Sequence, residues 1–360
     1  MRLVAGCMTG TSIDGLDVAL VAIEGAGLAL RPCFLRGLSH ELGPVAEGLR
    51  ALAAQRPLSA GAIAGVMHDF ALVHLAALRE LAGSDRLDLV AVHGQTVFHA
   101  APRSWQLFQP APVAHGLGVT VVHDLRAADL ARGGQGAPIT PLADWIGLRD
   151  ASERRVVVNL GGFCNLTVLP AGGGLEAIAG GDVCACNQVL DHIARSLLGR
   201  PFDGDGAIAA SAAADPAGVA ELLIALRGQV AARRSLGTGD ELAAAVDALG
   251  HRLPAAVVAA TACRAIAEAI ATAAAEGGRP QRVLLAGGGL RNRALHAALI
   301  TACAPAIVAA TDQHGVPAAY REAYAMAVLG ALAQDRVAIT LPQVTGVAGP
   351  APLAGCWTLP

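Results

Sequence analysis

The chain has 360 residues, of which 54% are hydrophobic and 15% are charged, and its formal net charge is −3. The length exceeds what one compact core normally accommodates, so we expect two domains. The small negative charge excludes a basic surface for nucleic acid or anionic lipid. The longest apolar stretch, 254–275, contains Arg264 and Glu268 and is therefore predicted to be a core helix and not a membrane span.

The first predicted element is a hairpin with a turn of glycine, hydroxyl and acidic residues. Apolar strands at 3–7 and 16–23 flank residues 8–15, which read Met-Thr-Gly-Thr-Ser-Ile-Asp-Gly. Such a turn can direct backbone N–H groups and hydroxyls at phosphate oxygens, and Asp14 or Asp17 could hold the Mg²⁺ of a nucleoside triphosphate. The same composition is typical of any tight turn. Because the chain has no lysine, a Walker-type phosphate loop is excluded.

A second hairpin, 155–169, repeats this outline about 150 positions later, as a duplicated domain would. Strands alternate with helical runs along the rest of the chain, which favours largely parallel sheets covered by helices. The predicted helices are 57–81, 187–198, 254–275 and 318–332, and the further strands are 87–92, 119–122 and 282–286. Because the last helix would return to the first domain, we predict one domain at 1–128 plus 331–360 and a second at 129–330.

Clusters of glycine and polar residues follow several of these strands, at the position where α/β proteins bind ligands. Besides the first turn they are His93-Gly94-Gln95-Thr96 with His99, Asp124–Asp129 with the glycine run Gly133–Pro138, Asn159–Gly162 with Asn165, Asp182 and Asn187, and Gly287–Asn292. Each cluster taken singly is more often a packed or surface histidine, a flexible loop or a routine strand–helix junction than a ligand site. Their occurrence together and in this order is far more specific.

In order and residue type these clusters resemble the anhydro-N-acetylmuramic acid kinases, a bacterial branch of the sugar-kinase, heat-shock-chaperone and actin superfamily. The family segment Met-Ser-Gly-Thr-Ser-x-Asp-Gly-x-Asp is similar to residues 8–17, and His-Gly-Gln-Thr to 93–96. Asp-Phe-Arg-x-x-Asp with its glycine run is similar to 124–138, Asn-x-Gly-Gly-x-x-Asn to 159–165, and Gly-Gly-Gly-x-x-Asn to 287–292. With Glu322-Ala323 and residues 342–346, the resemblance covers nearly the whole chain.

The resemblance implies an α/β fold of two actin-like (ribonuclease-H-like) domains, each with a mixed β-sheet flanked by helices, and an active-site cleft between them. It implies a kinase that uses ATP and Mg²⁺ to open the 1,6-anhydro ring of anhydro-N-acetylmuramic acid hydrolytically and to phosphorylate the 6-oxygen. The products would be N-acetylmuramic acid 6-phosphate and ADP, in cell-wall recycling. The expected partner is a small anhydro-sugar, with no nucleic acid and no membrane, and a homodimer is compatible. Scattered cysteines and the lack of a signal-peptide pattern predict a cytoplasmic protein.

Carried over residue by residue, the resemblance implies that Asp182 is the catalytic base. The residues it implies for ATP and phosphate are Gly10, Thr11, Ser12, Ile13, Asp14, Gly15, Leu16, Asp17, Gly161, Gly162, Asn165, Gly287, Gly288, Gly289 and Asn292. The residues it implies for the sugar are His93, Gln95, Thr96, Arg126, Asp129, Gln135, Asn187 and Glu322. Asp14 is the candidate Mg²⁺ ligand.

Two segments depart from the family pattern. Asp-Thr-Gly-Pro-Gly-Asn is replaced by Asp182-Val183-Cys184-Ala185-Cys186-Asn187, and Lys-Ser-Thr-Gly-Arg-Glu is replaced by residues 234–241, which lack the arginine. If the family glycines serve a positive φ, the cysteines should strain or re-route the loop. A kinase for another anhydro-sugar such as levoglucosan, a kinase for a plain hexose, and a catalytically silent nucleotide- or sugar-binding homologue therefore stay open as alternatives.

Overall fold

The computed structural model describes residues 1–232, 236, 240 and 242–360, so most of segment 234–241 lies outside the described residues. The described residues form these strands: β1 (Arg2–Thr9), β2 (Leu16–Glu24), β3 (Arg31–His40), β4 (Leu89–Val92), β5 (Gln95–Ala100), β6 (Arg103–Leu107), β7 (Val121–His123), β8 (Arg155–Leu160), β9 (Phe163–Leu169), β10 (Ala179–Ala185), β11 (Arg282–Ala286), β12 (Ile307–Ala310) and β13 (Cys356–Thr358).

Helices separate these strands for most of the chain. They are α1 (Val45–Ala53), α2 (Ala60–Ala82), α3 (Ala111–Leu117), α4 (Ala127–Ala131), α5 (Pro141–Leu148), α6 (Asn187–Leu197), α7 (Pro216–Ala232), α8 (Ala243–Gly250), α9 (Ala255–Ala274), α10 (Arg293–Cys303), α11 (Arg321–Gln334) and α12 (Pro342–Thr345). The helices and strands predicted from the sequence are confirmed within a few residues at their ends.

The chain divides into two compact units. Unit 1 comprises Met1–Leu148 and His314–Pro360, and unit 2 comprises Arg149–Gln313. The domain boundaries predicted after residues 128 and 330 therefore differ from those of the structure. Residue 330 lies inside α11, which packs as a whole on β1, β2 and β4, and α5 packs on α11. A boundary at either predicted position would separate elements of one core.

In unit 1 a six-stranded mixed sheet has the order β13-β7-β4-β1-β2-β3. The first three strands of the chain form an antiparallel meander, and β4 and β7 add to β1 in parallel. In unit 2 the order is β10-β9-β8-β11-β12, again with an antiparallel meander followed by two parallel strands. This order is that of the ribonuclease-H-like fold, so both units have the predicted class of fold.

Close packing of α11 against β1 shapes the centre of unit 1. Residues Ala323–Ala333 of α11 are all buried, and most are small enough to let the helix approach the sheet. A Cβ at Gly6 of β1 would lie 1.9 Å from the carbonyl oxygen of Ala323 and 2.5 Å from the nitrogen of Ala327. Backbone therefore touches backbone at this point, and only glycine fits.

Two helices of the described chain, α2 and α9, have the length and apolar composition that a membrane span requires. In unit 2, α9 packs against α6, α7 and α10, and most of its residues are buried. The prediction that 254–275 forms a core helix is confirmed. Such burial accounts for its apolar sequence, because both faces of the helix contact other elements.

Candidate functional site

The turn between β1 and β2 exposes its polar side chains around a buried anchor. Ile13 has a positive φ of 53° and is 2% exposed. Its N–H donates to the Gly10 oxygen at 3.2 Å, and its own oxygen accepts from Arg50 Nη2 at 2.8 Å. Thr11, Ser12 and Asp14 on either side are exposed. The fixed turn thus presents two hydroxyls and one carboxylate, whereas the side chain of Leu16 belongs to the core.

The turn is tied directly to the segment that follows β4. Thr9 Oγ1 donates to the Gly94 oxygen at 3.2 Å, and Gln95 Nε2 donates to the Gly10 oxygen at 3.3 Å. The Gln95 side chain is fully buried, and its Oε1 has no hydrogen-bond partner among the described residues. A buried acceptor without a partner is costly in a folded protein. The two segments predicted to bind phosphate and sugar are therefore adjacent, with an unused acceptor between them.

His93 and Arg126, both in unit 1, are joined by hydrogen bonds. His93 is 4% exposed. Its Nδ1 lies 2.7 Å from the Gly94 oxygen, and its Nε2 lies 3.1 Å from Nε and 2.9 Å from Nη2 of Arg126. Arg126 Nη1 also donates to the Gly136 oxygen at 2.8 Å. Burial, and then the guanidinium, lower the pKa of His93 to about 3, so its ring is neutral at physiological pH.

Asp129 organises the glycine-rich loop that follows α4. It is 2% exposed, and its carboxylate accepts from Gly136 N at 2.7 Å and from Thr345 Oγ1 at 2.8 Å. The exposed Gln135 is held through its backbone N–H, which donates to the Thr345 oxygen at 2.8 Å. Asp129 was predicted to contact the sugar, but in this structure both carboxylate oxygens are engaged within unit 1. These contacts hold the glycine-rich loop in place, and the sugar contact of Asp129 stays a prediction.

The β5–β6 hairpin has a polar face, and only some of its residues were predicted from the sequence. A β-bulge after Thr96 shifts the register, so that Thr96 pairs with Gln106 and His99 with Ser104. Gln106 Nε2 donates to Ser104 Oγ at 2.8 Å and to Thr96 Oγ1 at 3.3 Å, and His99 Nδ1 lies 2.8 Å from Ser104 Oγ. Burial and the charge of Arg126 lower the pKa of His99. Ser104 and Gln106 thus join the predicted Thr96 on one face.

Glu322, predicted to contact the sugar, lies in the first turn of α11 and is half-buried. It directly follows Arg321, whose guanidinium is anchored to the carboxylate of Asp144 on α5. The helix start that carries Glu322 is therefore fixed by a neighbouring helix of the same unit.

In unit 2, the register of three adjacent strands aligns three polar residues. Asn159 of β8 pairs with Asn165 of β9, which in turn pairs with Asp182 of β10. Asp182 is half-buried, and its Oδ2 accepts from the Leu236 N–H at 2.8 Å. Asn159 is 4% exposed and its Oδ1 has no hydrogen-bond partner among the described residues. The structure thus brings the predicted base next to Asn165, which was predicted to contact phosphate.

The turn 161–162 is bound to the start of α6. Cys186 N donates to the Gly162 oxygen at 2.9 Å, and Asn187 N donates to the Gly161 oxygen at 3.1 Å. Asn187 Nδ2 donates to the Leu160 oxygen at 3.0 Å. Asn187 therefore fixes the end of β8 relative to α6.

The Cys184–Cys186 segment does not adopt the left-handed backbone conformation that would require the lost glycines. Neither cysteine has a positive φ, and Cys186 has φ −127°. Both side chains are fully buried in the unit 2 core, and the Ala185 N–H donates to Gln229 Oε1 at 2.9 Å. A β-bulge between Asp182 and Cys184 accommodates the local geometry. The thiols act as apolar packing groups, and burial raises the pKa of Cys184 to about 12.

Glycines 287–289 bring the backbone after β11 against the end of β8. Gly287 has φ 87°, and a Cβ there would lie 2.8 Å from Asn159 Oδ1. A Cβ at Gly289 would lie 2.8 Å from Leu160 Cβ, whereas Gly288 faces open space. Asn292 caps α10, since its Oδ1 accepts from Ala294 N and Leu295 N at 3.0 Å. Its side-chain oxygen is thereby engaged in unit 2.

Among the described residues there is no group of three or more His, Cys, Asp or Glu side chains that could hold a metal ion unaided. Asp14 is exposed in the first turn. A Mg²⁺ ion that arrives with a triphosphate needs only one or two protein carboxylates, because phosphate oxygens and water supply the other ligands. The residues present therefore fit a nucleotide-borne Mg²⁺ better than a resident metal centre.

Two ribonuclease-H-like units, each with a glycine-containing hairpin turn, define the actin-like class of proteins that includes many sugar kinases. A model of the family "Anhydro-N-acetylmuramic acid kinase" matches residues 2–358. Proteins of that name from Gloeobacter violaceus and Streptomyces avermitilis are 34% and 37% identical, over 98% of this chain and 97% and 93% of their own lengths. The chain belongs to the anhydro-N-acetylmuramic acid kinase family.

Among solved structures, the activator of the 2-hydroxyisocaproyl-CoA dehydratase from Clostridium difficile with bound ADPNP aligns with 92% of this chain and 94% of its own. Its sequence identity is 12% and its TM-score is 0.48.

Proposed function

We propose that this chain is an ATP-dependent kinase that opens the 1,6-anhydro ring of anhydro-N-acetylmuramic acid and phosphorylates the freed 6-oxygen. The observation that carries the proposal is the row formed by Asn159, Asn165 and Asp182 across three paired strands, in a chain of this family. This row places a carboxylate beside amide groups and a glycine turn, which suits proton removal next to a phosphate site.

Asp182 would accept a proton from a water molecule whose oxygen attacks the anomeric carbon of the sugar. The bond between that carbon and the bridging 6-oxygen breaks, and the 6-oxygen then bonds to the γ-phosphorus of ATP while ADP leaves. The hydrogen bond from Leu236 N orients the carboxylate of Asp182.

The turn Gly10–Gly15 would hold the β- and γ-phosphates with its backbone N–H groups and the hydroxyls of Thr11 and Ser12. Asp17, whose carboxylate accepts from Ser39 Oγ at 2.6 Å, would support the turn from the start of β2. Asp14 would hold Mg²⁺, which, when bound, neutralises charge that develops on the phosphates. The Oε1 of Gln95 beside this turn, which has no hydrogen-bond partner among the described residues, would accept from a sugar hydroxyl or from water.

In unit 2, the nucleotide would approach the backbone at Gly287 to Gly289 and at the turn at Gly161. Glycine is required at 287 and 289, because a Cβ there would collide with β8. Arg126, Thr96 and Glu322 would contact the sugar in unit 1. We further propose that the enzyme works in the cytoplasm, in cell-wall recycling. We also propose that the protein can form a homodimer.

ADP release from purified protein tests the function directly. Anhydro-N-acetylmuramic acid, anhydro-N-acetylglucosamine, levoglucosan and glucose are compared with a no-sugar control, and products are weighed by mass spectrometry. The expected product is heavier than its substrate by one water molecule and one phosphoryl group. Preference for levoglucosan or glucose would support the alternative sugar kinases. Sugar or nucleotide binding without any turnover would support the catalytically silent alternative, which the altered Cys184–Cys186 loop suggests.

A further inference from the structure

Ile13, in the turn between β1 and β2, has a backbone conformation that isoleucine rarely adopts. Its φ of 53° lies in the left-handed region, where a β-branched side chain crowds the backbone. Glycine would adopt this φ without strain, but the side chain of Ile13 is 2% exposed and belongs to the same apolar core as Leu49 of α1. A strained conformation persists only where the surrounding structure holds it. The residues around Ile13 therefore keep the turn in one shape.

Arg50, which follows Leu49 in α1, forms a hydrogen bond with the backbone of Ile13. Its Nη2 donates to the Ile13 oxygen at 2.8 Å, although the Arg50 side chain is exposed. The helix therefore contributes to the turn in two ways. Its apolar face shares a core with the Ile13 side chain, and its arginine binds the Ile13 carbonyl group.

The hydrogen bond from Arg50 also determines where the next N–H group points. The peptide bonds of this turn are trans, and in a trans peptide the C=O of one residue and the N–H of the next point in opposite directions. Because the Ile13 oxygen points to Arg50, the Asp14 N–H points away from Arg50. It donates to no other residue that the structure describes. The turn thus directs this N–H outward.

A second peptide of the turn is oriented in the same manner by different residues. The Gly10 oxygen accepts from Ile13 N at 3.2 Å and from Gln95 Nε2 at 3.3 Å. The N–H of Thr11, on the other side of that peptide, therefore points away from Gln95. Within the described part of the chain it too has no acceptor. The Thr11 peptide does not depend on Arg50, so it serves as an internal reference for the Asp14 peptide.

We propose that Arg50 is a positioning residue that directs the Asp14 N–H at an oxygen of the β- or γ-phosphate of ATP. The inference rests on the proposed function and deepens it, because it identifies what orders the phosphate turn. If the peptide between Ile13 and Asp14 turned over, its carbonyl oxygen would face the phosphate and repel it. Arg50 prevents this by keeping the Ile13 oxygen on its own side of the turn.

Nucleotide affinity tests the role of Arg50. Arg50→Met keeps an apolar stem and removes the donor, so calorimetry with ATP and Mg²⁺ should show about 10-fold weaker binding, as expected for losing one hydrogen bond to a charged group. Arg50→Lys retains a donor and should stay within a few-fold of the wild type. KM for the sugar should be unchanged in both variants.

Arg79→Met is the matched control for Arg50→Met. Arg79 also lies on a helix of unit 1 and is exposed, and its Nη2 also donates to a backbone oxygen, that of Gly116, at 3.1 Å. Its replacement should leave the affinity for ATP unchanged. Wild-type affinity in Arg50→Met, or an equal loss in Arg79→Met, would overturn the proposal.

The amide signals of Thr11 and Asp14 distinguish orientation of a peptide from direct contact between the guanidinium and phosphate. With a saturating non-hydrolysable ATP analogue, both amide protons of the wild type should shift downfield in NMR spectra, because each donates to an anion. In Arg50→Met the shift of Asp14 should be lost and that of Thr11 retained, since Gln95 still holds the Gly10 oxygen. If both shifts persist or both disappear, Arg50 does not orient the Asp14 peptide and the proposal is wrong.

Turnover and nucleotide binding together separate this inference from the proposed function. If the wild type binds the ATP analogue but turns over no sugar, the proposed function fails, and the Asp14 signal still decides the role of Arg50. If the wild type phosphorylates the sugar while the Asp14 signal does not respond to nucleotide, the function stands and the inference fails. A wild type that binds no nucleotide would overturn both.

Discussion

Arg321 and Asp144 form an ion pair that joins the start of α11 to α5, and each side chain is only 2% exposed. Nε of Arg321 donates to one carboxylate oxygen at 2.9 Å and Nη2 donates to the other. Nη2 also lies 3.4 Å from Thr140 Oγ1. Since Glu322 is the next residue of the helix, this pair fixes the orientation of a candidate sugar contact.

Arg321→Met should lower the free energy of unfolding by about 3–5 kcal/mol, because it leaves the Asp144 carboxylate buried without its cation. Urea denaturation measures this loss. Arg252→Met is the control, since its pair with Glu221 is about half exposed and should contribute less than about 1 kcal/mol. Equal losses in the two variants would contradict the importance of burial. A double variant, Arg321→Met with Asp144→Leu, should recover part of the stability.

Asp182→Asn should lower kcat by about 10²–10⁴-fold, the range for losing a general base. An asparagine oxygen can still accept from Leu236 N, so the loop should keep its structure. Calorimetry should therefore show nearly unchanged affinity for ATP and sugar. Asp247→Asn, a half-exposed carboxylate bonded to His192, is the control. Activity within a few-fold of wild type would remove Asp182 as the base and direct attention to Asp129.

Asp14→Ala should weaken binding of ATP with Mg²⁺ by about 10-fold or more, as expected for loss of a charged ligand. Binding of ATP in the presence of a chelator should change little, because the turn keeps its N–H groups and hydroxyls. Calorimetry under both conditions measures the difference. Asp69→Ala, an exposed acid on α2, is the control. An equal effect with and without Mg²⁺ would show that Asp14 stabilises the structure of the turn and does not bind Mg²⁺.

Changing Cys184-Ala185-Cys186 to Gly-Pro-Gly, as in the family pattern, should destabilise this protein. The two glycines would leave cavities where thiols now fill the core, and proline would delete the N–H that Ala185 donates to Gln229. The free energy of unfolding should fall by more than about 2 kcal/mol. Cys33→Gly, at an exposed thiol, is the comparison. Unchanged stability with increased turnover would restore the hypothesis of a strained loop.

Stability should fall as the pH drops below about 6.5. Burial lowers the pKa of His74 to about 4 and that of His93 to about 3, so the unfolded chain binds more protons than the native state. The free energy of unfolding then decreases by up to about 1.4 kcal/mol per pH unit for each histidine, down to the native pKa. Urea denaturation from pH 7.5 to 4.5 measures the slope. His74→Leu should make it shallower, and an unchanged slope would contradict the assignment.

The sequence predicted both hairpins, the main helices and the clusters at strand ends, because apolar strands and glycine turns are local signals. It did not predict the paired hairpin β5–β6. Arg103 and Ser104 interrupt the apolar pattern there, and the bulge after Thr96 breaks the alternation that identifies a strand.

Contacts between residues that are far apart in the chain could not be predicted from the sequence either. The link from Asp129 to Thr345 spans more than two hundred positions, and the burial of Cys184 and Cys186 depends on packing against α9. The hydrogen-bond partners that the chain itself supplies to His93, Asp129 and Asn292 could not be predicted from the sequence either.

The close backbone contact at Gly6 holds β1 and α11 rigidly together. The strand ends at the turn proposed for phosphate, and Glu322 lies in the first turn of the helix, so the distance between these two features has almost no tolerance. A single methyl group at position 6 would push the helix outward and shift Glu322 relative to the turn. Adaptation to a larger or smaller sugar therefore has to come from the loops around Arg126 and Thr96, because the distance between β1 and α11 is fixed.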